Sequence, residues 1–220
     1  MATALKRRVL GGMVRQFHHP RGIAGRMAGW VMAHRGSNRQ RNRWAVALLE
    51  VRPTDRVLEI GFGPGLAIAE LAHRATQGHV HGIDHSAVMV RQASRRNHAA
   101  IGAHRVELVR ASVDQLPRFD EPLDAILAVN SLGLWADPAK RLDELRRLLR
   151  PGGRIALVTQ PRCPGATADT TAQAARNLKD LLTQAGFAQF RVETLELDPP
   201  VACVLATNPP TGGAESAADV

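Results

Sequence analysis

Val57-Leu58-Glu59-Ile60-Gly61-Phe62-Gly63-Pro64-Gly65 joins an apolar run to a turn of spaced glycines, and the reading of the whole chain hinges on it. The run over residues 56–61 has the length and apolarity of a buried strand, and residues 66–74 continue as a helix that opens directly on the turn. Glycines at such a junction let the backbone bend sharply and let a ligand lie against the peptide groups at the helix N-terminus. A second strand over residues 79–84 ends in Asp84, 23 residues past Gly61, near the spacing at which a carboxylate takes both hydroxyls of a ribose. The pair implies a nucleoside-containing ligand. Two departures from the dinucleotide pattern narrow the choice: Leu66 fills the third glycine position of G-x-G-x-x-G, and Glu59 stands two residues before the turn. A carboxylate there repels a pyrophosphate and attracts an ammonium or sulfonium group.

Outward from this core, strands and helices alternate. Ser86 is placed to N-cap a helix running to Ile101 and stopping at Gly102. Strands follow at residues 106–110 and 123–129. A helix over residues 138–149 has Pro near its start and Leu142, Leu145, Leu148 and Leu149 on one face, with Pro151-Gly152-Gly153 as its stop. A fifth strand is expected over residues 154–159, then a helix over residues 169–185 capped by Gly186. Strands over residues 187–197 and 201–207 are joined so closely, across Pro199-Pro200, that they must pair antiparallel. Strands separated by helices call for a doubly wound, mostly parallel α/β sheet of Rossmann-like type.

The length of 220 residues suits one domain able to bury its own core. With 45% hydrophobic and 22% charged residues the composition is that of an ordinary globular protein. The most apolar stretch, residues 126–136, is interrupted by Asn130 and Ser131 and is too short for the roughly 20 residues of a membrane helix. Two cysteines, Cys163 and Cys203, build no disulfide framework, and the chain lacks Cys-x-x-Cys and His-Glu-x-x-His spacings, so a reducing, cytoplasmic setting and no metal are expected. The net charge of +9 is localised: ten of the 29 basic residues precede Glu50, the first acidic residue, which leaves 19 basic against 20 acidic residues, a net of −1. The chain is thus expected to divide into a basic helical arm or lid (1–43), the α/β domain (44–207) and a disordered tail (208–220). Such an arm attracts polyanions or anionic lipid surfaces.

Taken together, Glu59, the glycine turn, Asp84, Asn130 and Arg150-Pro151-Gly152-Gly153-Arg154 resemble, in order and spacing, the class I S-adenosylmethionine-dependent methyltransferases, especially the small-molecule branch with quinone C-methyltransferases. The similarity runs from about Arg43 to Thr207. It implies a seven-stranded sheet with an antiparallel last strand and S-adenosylmethionine as cofactor, which carries a ribose and a cation but no phosphate. Carried onto this chain, the resemblance puts Glu59, Gly61, Gly63 and Gly65 at the methionine portion, Asp84 at the ribose, and His85 and Ser86 beside ribose and adenine. Ser112 stands where relatives often carry Asp for the adenine amino group, Val113 offers a backbone N–H, and Asn130 floors the site.

The activity implied is transfer of a methyl group by in-line displacement to a small apolar or amphipathic acceptor. Met27, Trp30, His34 and Trp135 are expected on the acceptor side or its lid. The candidates for a base, His18, His19 and His34, precede the fold where a lid would lie. An RNA methyltransferase using the arm as a phosphate clamp, a nicotinamide-dependent reductase and a non-enzymatic nucleotide-binding module are the alternatives. Nucleic acid is disfavoured because the chain has no Tyr and no recognisable RNA-binding module. Peripheral contact with an anionic membrane is compatible with the arm.

Overall fold

The computed structural model describes residues 36–210. Strands β1 (Arg56–Ile60), β2 (His79–Asp84), β3 (Val106–Arg110), β4 (Leu123–Val129), β5 (Leu149–Thr159), β6 (Ala188–Leu195) and β7 (Val201–Thr207) alternate with helices. These are α1 (Gly36–Leu48), α2 (Leu66–Arg74), α3 (Ala87–Arg96), α4 (His98–Gly102), α5 (Pro138–Leu148) and α6 (Ala168–Gln184), with a 3-10 turn at Leu132–Leu134. One seven-stranded sheet has the order β3-β2-β1-β4-β5-β7-β6. The pairs β1–β2, β1–β4, β2–β3 and β4–β5 are parallel, and β7 runs antiparallel to both neighbours, as the short connection from β6 requires. The direction of winding reverses between β1 and β4. In an open α/β sheet the ligand crevice lies at that reversal, beyond the carboxyl ends of the strands.

Alternation along each strand builds two apolar layers. Val57 faces a cluster with Ile68, Leu71, Val46 and Leu49, while Leu58 and Ile60 face another with Ile126, Leu142, Leu145 and Leu182. Each such side chain, almost wholly removed from water, contributes on the order of 1.5–3 kcal/mol. Local chemistry sets the helix starts: Ser86 Oγ accepts from Met89 N at 3.5 Å, Asp137 Oδ1 accepts from Lys140 N at 3.2 Å with Pro138 next to it, and Thr167 and Thr170 form a reciprocal capping box. Among the described residues no helix is long and apolar enough to cross a membrane.

Three expectations are corrected. The helix expected over residues 86–101 breaks at Asn97, whose buried side chain donates to Ala93 O at 2.9 Å and Gly65 O at 3.2 Å. That amide serves the glycine turn at the cost of a continuous helix. Next, β5 begins at Leu149, not Arg154, because Pro151-Gly152-Gly153 is absorbed as an irregularity between the pairs Leu123–Leu149 and Ala125–Arg154, with Gly152 at φ +72°. Finally, Asn208 belongs to the fold and not to the tail: it is buried, exchanges backbone bonds with Gly152 and Gly153, and donates its side-chain amide to Leu149 O at 2.8 Å. The expected arm boundary at residues 43/44 falls inside α1; the rest of the arm, and residues 211–220, lie outside the described residues.

Candidate active site

The turn over residues 61–65 is held from every side. Gly61 N donates to Ile83 O at 2.8 Å, Ser131 Oγ to Ile60 O at 2.8 Å, and Arg96 Nε to Pro64 O at 2.9 Å. Gly63 N donates to Asp84 Oδ2 at 2.9 Å, and Ser86 N to Asp84 Oδ1 at 2.8 Å. Asp84, 6% exposed, therefore ties the ends of β1 and β2 together and spends one acceptor site on each oxygen. A carboxylate offers about four such sites, so each oxygen keeps capacity for a ligand hydroxyl. The glycines differ in role. A Cβ on Gly61 would stand 2.5 Å from Ser131 Cβ, whereas one on Gly63, at φ +53°, would meet nothing within 4 Å. Gly61 is required by close packing; Gly63 opens onto the crevice.

Glu59 sits at the base of the turn, 1% exposed. The backbone N–H of Ile68, in the first turn of α2, acts on its carboxyl in favour of the charged form. Oε2 has no hydrogen-bond partner. Burial and then the neighbouring Asp84 push this carboxyl up to about 8. Burial likewise raises Asp84, against the N–H groups of Ser86 and Gly63 and the nearby His85. Two buried carboxyls, one with an orphan oxygen, fit a ligand bearing hydroxyls and a positive charge. They oppose a pyrophosphate. S-adenosylmethionine meets this demand.

The other expected residues separate. His85 is exposed with Nδ1 3.8 Å from Asp84 Oδ1, and Ser86 caps α3. Ser112 Oγ donates to Asp114 Oδ2 at 3.0 Å and accepts from Asp114 N at 3.2 Å, closing a local turn over buried Val113. Asn130, exposed at the end of β4 with φ +52°, accepts from Gln160 N at 2.7 Å and so links the ends of β4 and β5. Trp135, expected at the acceptor, is 8% exposed and packs into the apolar cluster with Leu142 and Leu145: its ring is core. Met27, Trp30, His18, His19 and His34 lie outside the described residues. Cys203 is buried in β7 and its thiol is pushed up to about 12 by burial, which makes it inert as a nucleophile.

Sequence reasoning missed a polar network at the β5 side of the crevice. Arg41 Nη1 of α1 donates to Gln160 Oε1 at 2.7 Å, and Arg162 donates to the same oxygen at 3.2 Å and to Asn38 Oδ1 at 3.0 Å. Burial and the proximity of Arg162 lower Arg41 to about 10. The pairs 38/41 and 160/162 are separated by more than a hundred residues, and only the spacing of Asn38 and Arg41 along one helical face carried a signal.

A methyltransferase-domain family model matches residues 57–153. An uncharacterized methyltransferase of Bacillus subtilis, YdaC, is 31% identical over 84% of this chain and 99% of its own length. A phosphatidylethanolamine N-methyltransferase of Cereibacter sphaeroides is 31% identical over 72% of this chain and 75% of its own. A demethylmenaquinone methyltransferase of Clavibacter sepedonicus is 38% identical over 52% of this chain and 46% of its own. Among solved structures, a SAM-dependent methyltransferase from Aquifex aeolicus superposes with a TM-score of 0.61 at 22% identity, covering 76% of this chain and 88% of that one. The N-methyltransferase NodS of Bradyrhizobium japonicum in complex with S-adenosylhomocysteine superposes with a TM-score of 0.62 at 18% identity, covering 82% and 91%. The chain belongs to the class I S-adenosylmethionine-dependent methyltransferases. It is an enzyme of that family.

Proposed function

We propose that this methyltransferase acts on a small amphipathic acceptor of lipid character. The observation that carries the reading is the polarity of the crevice: carboxyls of Glu59 and Asp84 stand at the β1 and β2 ends, and the guanidiniums of Arg41 and Arg162 at the β5 end. In this reading Asp84 accepts the ribose hydroxyls with the capacity left by Gly63 and Ser86. Glu59 Oε2 faces the positive charge of the methionine portion, with Gly61, Gly63 and Gly65 beneath it. Val113 N–H, Ser112 and His85 border the adenine, and Asn130 floors the site. When bound, the cofactor supplies an electrophilic methyl group on a sulfonium, which passes to the acceptor by in-line displacement. The chain's own task is to hold the acceptor atom at about 3–3.5 Å and keep water out.

Arg41 and Arg162 suit an acceptor with an anionic end. The relatives named for phosphatidylethanolamine and for demethylmenaquinone act, by name, on lipophilic molecules, which supports the same class. The basic arm, with Met27, Trp30 and His34, would close over the pocket and rest on an anionic membrane. The test supplies methyl-labelled S-adenosylmethionine with either a bacterial lipid extract or total RNA. Label in the lipid fraction, reduced when Arg41→Gln is introduced, is the expected result; label confined to RNA overturns the reading.

A further inference from the structure

The sheet carries a second cluster at the opposite end from the cofactor crevice. His79 and His81 alternate along β2 and so share a face, and Glu107 on β3 is the direct register partner of His81. Along β2, at some 3.3 Å per strand residue, His79 lies about 16 Å and His81 about 10 Å from Asp84. His81 Nδ1 is 3.3 Å from Glu107 Oε2, the imidazole centroids are 4.4 Å apart, and one ligand atom from each of the three residues lies within 4.8 Å of the others. Nε2 of both histidines is buried without a hydrogen-bond partner. Two orphan nitrogens side by side need a reason, because burying each one unmade carries a real penalty. Phe119 closes one side, its ring edge-on to His81 at 5.1 Å.

We propose that His79, His81 and Glu107 form a binding site for a divalent transition metal ion, zinc foremost, separate from the methyl-transfer site. Two imidazoles and a carboxylate are the donor set that zinc and its neighbours take from proteins, at about 2.0–2.2 Å each, which sets ligand atoms about 3.3–4.2 Å apart. The His81 Nδ1–Glu107 Oε2 pair already has that separation, so His81 would offer Nδ1 and His79 its unpartnered Nε2. With three protein ligands the ion keeps a position for water. Because β3 is the edge strand of the sheet, the ion would clip that edge to β2.

One cation opposes the ion. Arg56 on β1 is the register partner of His79, and its Nη1 lies 3.6 Å from Glu121 Oε2, which draws its charge partly away. This makes the sign of an Arg56 substitution diagnostic: removing the guanidinium tightens a cation and loosens an anion.

Calorimetric titration of the full-length protein with Zn²⁺, and with Co²⁺ read by its visible spectrum, tests the proposal. The expected result is one ion per chain at this cluster, weakened by about ten-fold or more in His81→Ala and in Glu107→Gln, tightened in Arg56→Gln, with S-adenosylhomocysteine binding unchanged in all three. Glu107 is largely exposed, so its variant and Arg56→Gln decide the matter even if the histidine variant fails to fold. Wild-type affinity retained in Glu107→Gln and in the His79→Ala/His81→Ala pair, or a loss in Arg56→Gln, overturns it.

Discussion

Glu59 shows how one buried carboxyl serves two masters. The backbone N–H of Ile68 in α2 favours its charged form, and Oε2, without a hydrogen-bond partner, is left for a cation. Its folded-state value of about 8 against 4.5 gives the sign of a pH effect. Between those limits the folded protein binds more protons than the unfolded chain, so stability in the absence of cofactor is full below pH 4.5 and falls as pH rises through 8. Urea unfolding of the cofactor-free protein at pH 5 and pH 8.5 should show this fall, and Glu59→Gln, which has no proton to lose, should flatten it. An equal fall in the variant would remove Glu59 from the account. Cofactor should oppose the loss in the wild type by stabilising the carboxylate.

At the scale of the element, the glycine turn separates a packing role from a binding role. Gly61→Ala forces a Cβ to 2.5 Å from Ser131 Cβ, an overpacking cost of about 1–3 kcal/mol added to the left-handed backbone cost of about 1–2 kcal/mol. Gly63→Ala carries only the backbone cost but places a methyl in the open space assigned to the cofactor under the proposed reading. Thermal melts and calorimetry should show Gly61→Ala lowering Tm the more, and Gly63→Ala losing S-adenosylhomocysteine affinity at a smaller Tm cost. The same turn marks what a sequence discloses. The turn, Asp84 and the ends of β1 to β4 were legible because apolar runs stop at glycines, caps and carboxylates within a few residues. The clamps from Arg96, Asn97 and Ser131 were not, nor were the Arg41–Gln160–Arg162 network and the His79–Glu107 cluster. Each depends on a partner from another element, and Asn97 resembles any mid-helix polar residue until Gly65 O is seen beside it. Asn208 was lost for a similar reason: Pro-Pro and Gly-Gly next to it suggested a tail, and the carbonyls it binds belong to β5.

For the whole molecule, the decisive asymmetry is that of charge. The near-neutral sheet domain carries a basic N-terminal segment, and α1 brings Arg41 from that segment to the crevice. Deleting residues 1–34 leaves α1 in place, so the account expects Tm to move little while turnover on a lipid acceptor falls by about ten-fold or more, through lost water exclusion and lost acceptor positioning. Full turnover in the truncated protein would make the arm an address and not a lid. Trp135, expected at the acceptor, serves the core instead, and its truncation should cost stability before it costs affinity.

The central claim is that the crevice at the ends of β1, β2 and β4 is where S-adenosylmethionine binds, through Asp84. Calorimetric titration with S-adenosylhomocysteine, wild type beside Asp84→Ala and Asp84→Asn, tests it most directly. The account predicts one site per chain, with affinity reduced about ten-fold or more in Asp84→Ala, equivalent to roughly 1.4 kcal/mol, and partly retained in Asp84→Asn, whose amide oxygen can still accept from Gly63 or Ser86. Undiminished binding in a folded Asp84→Ala protein would contradict it.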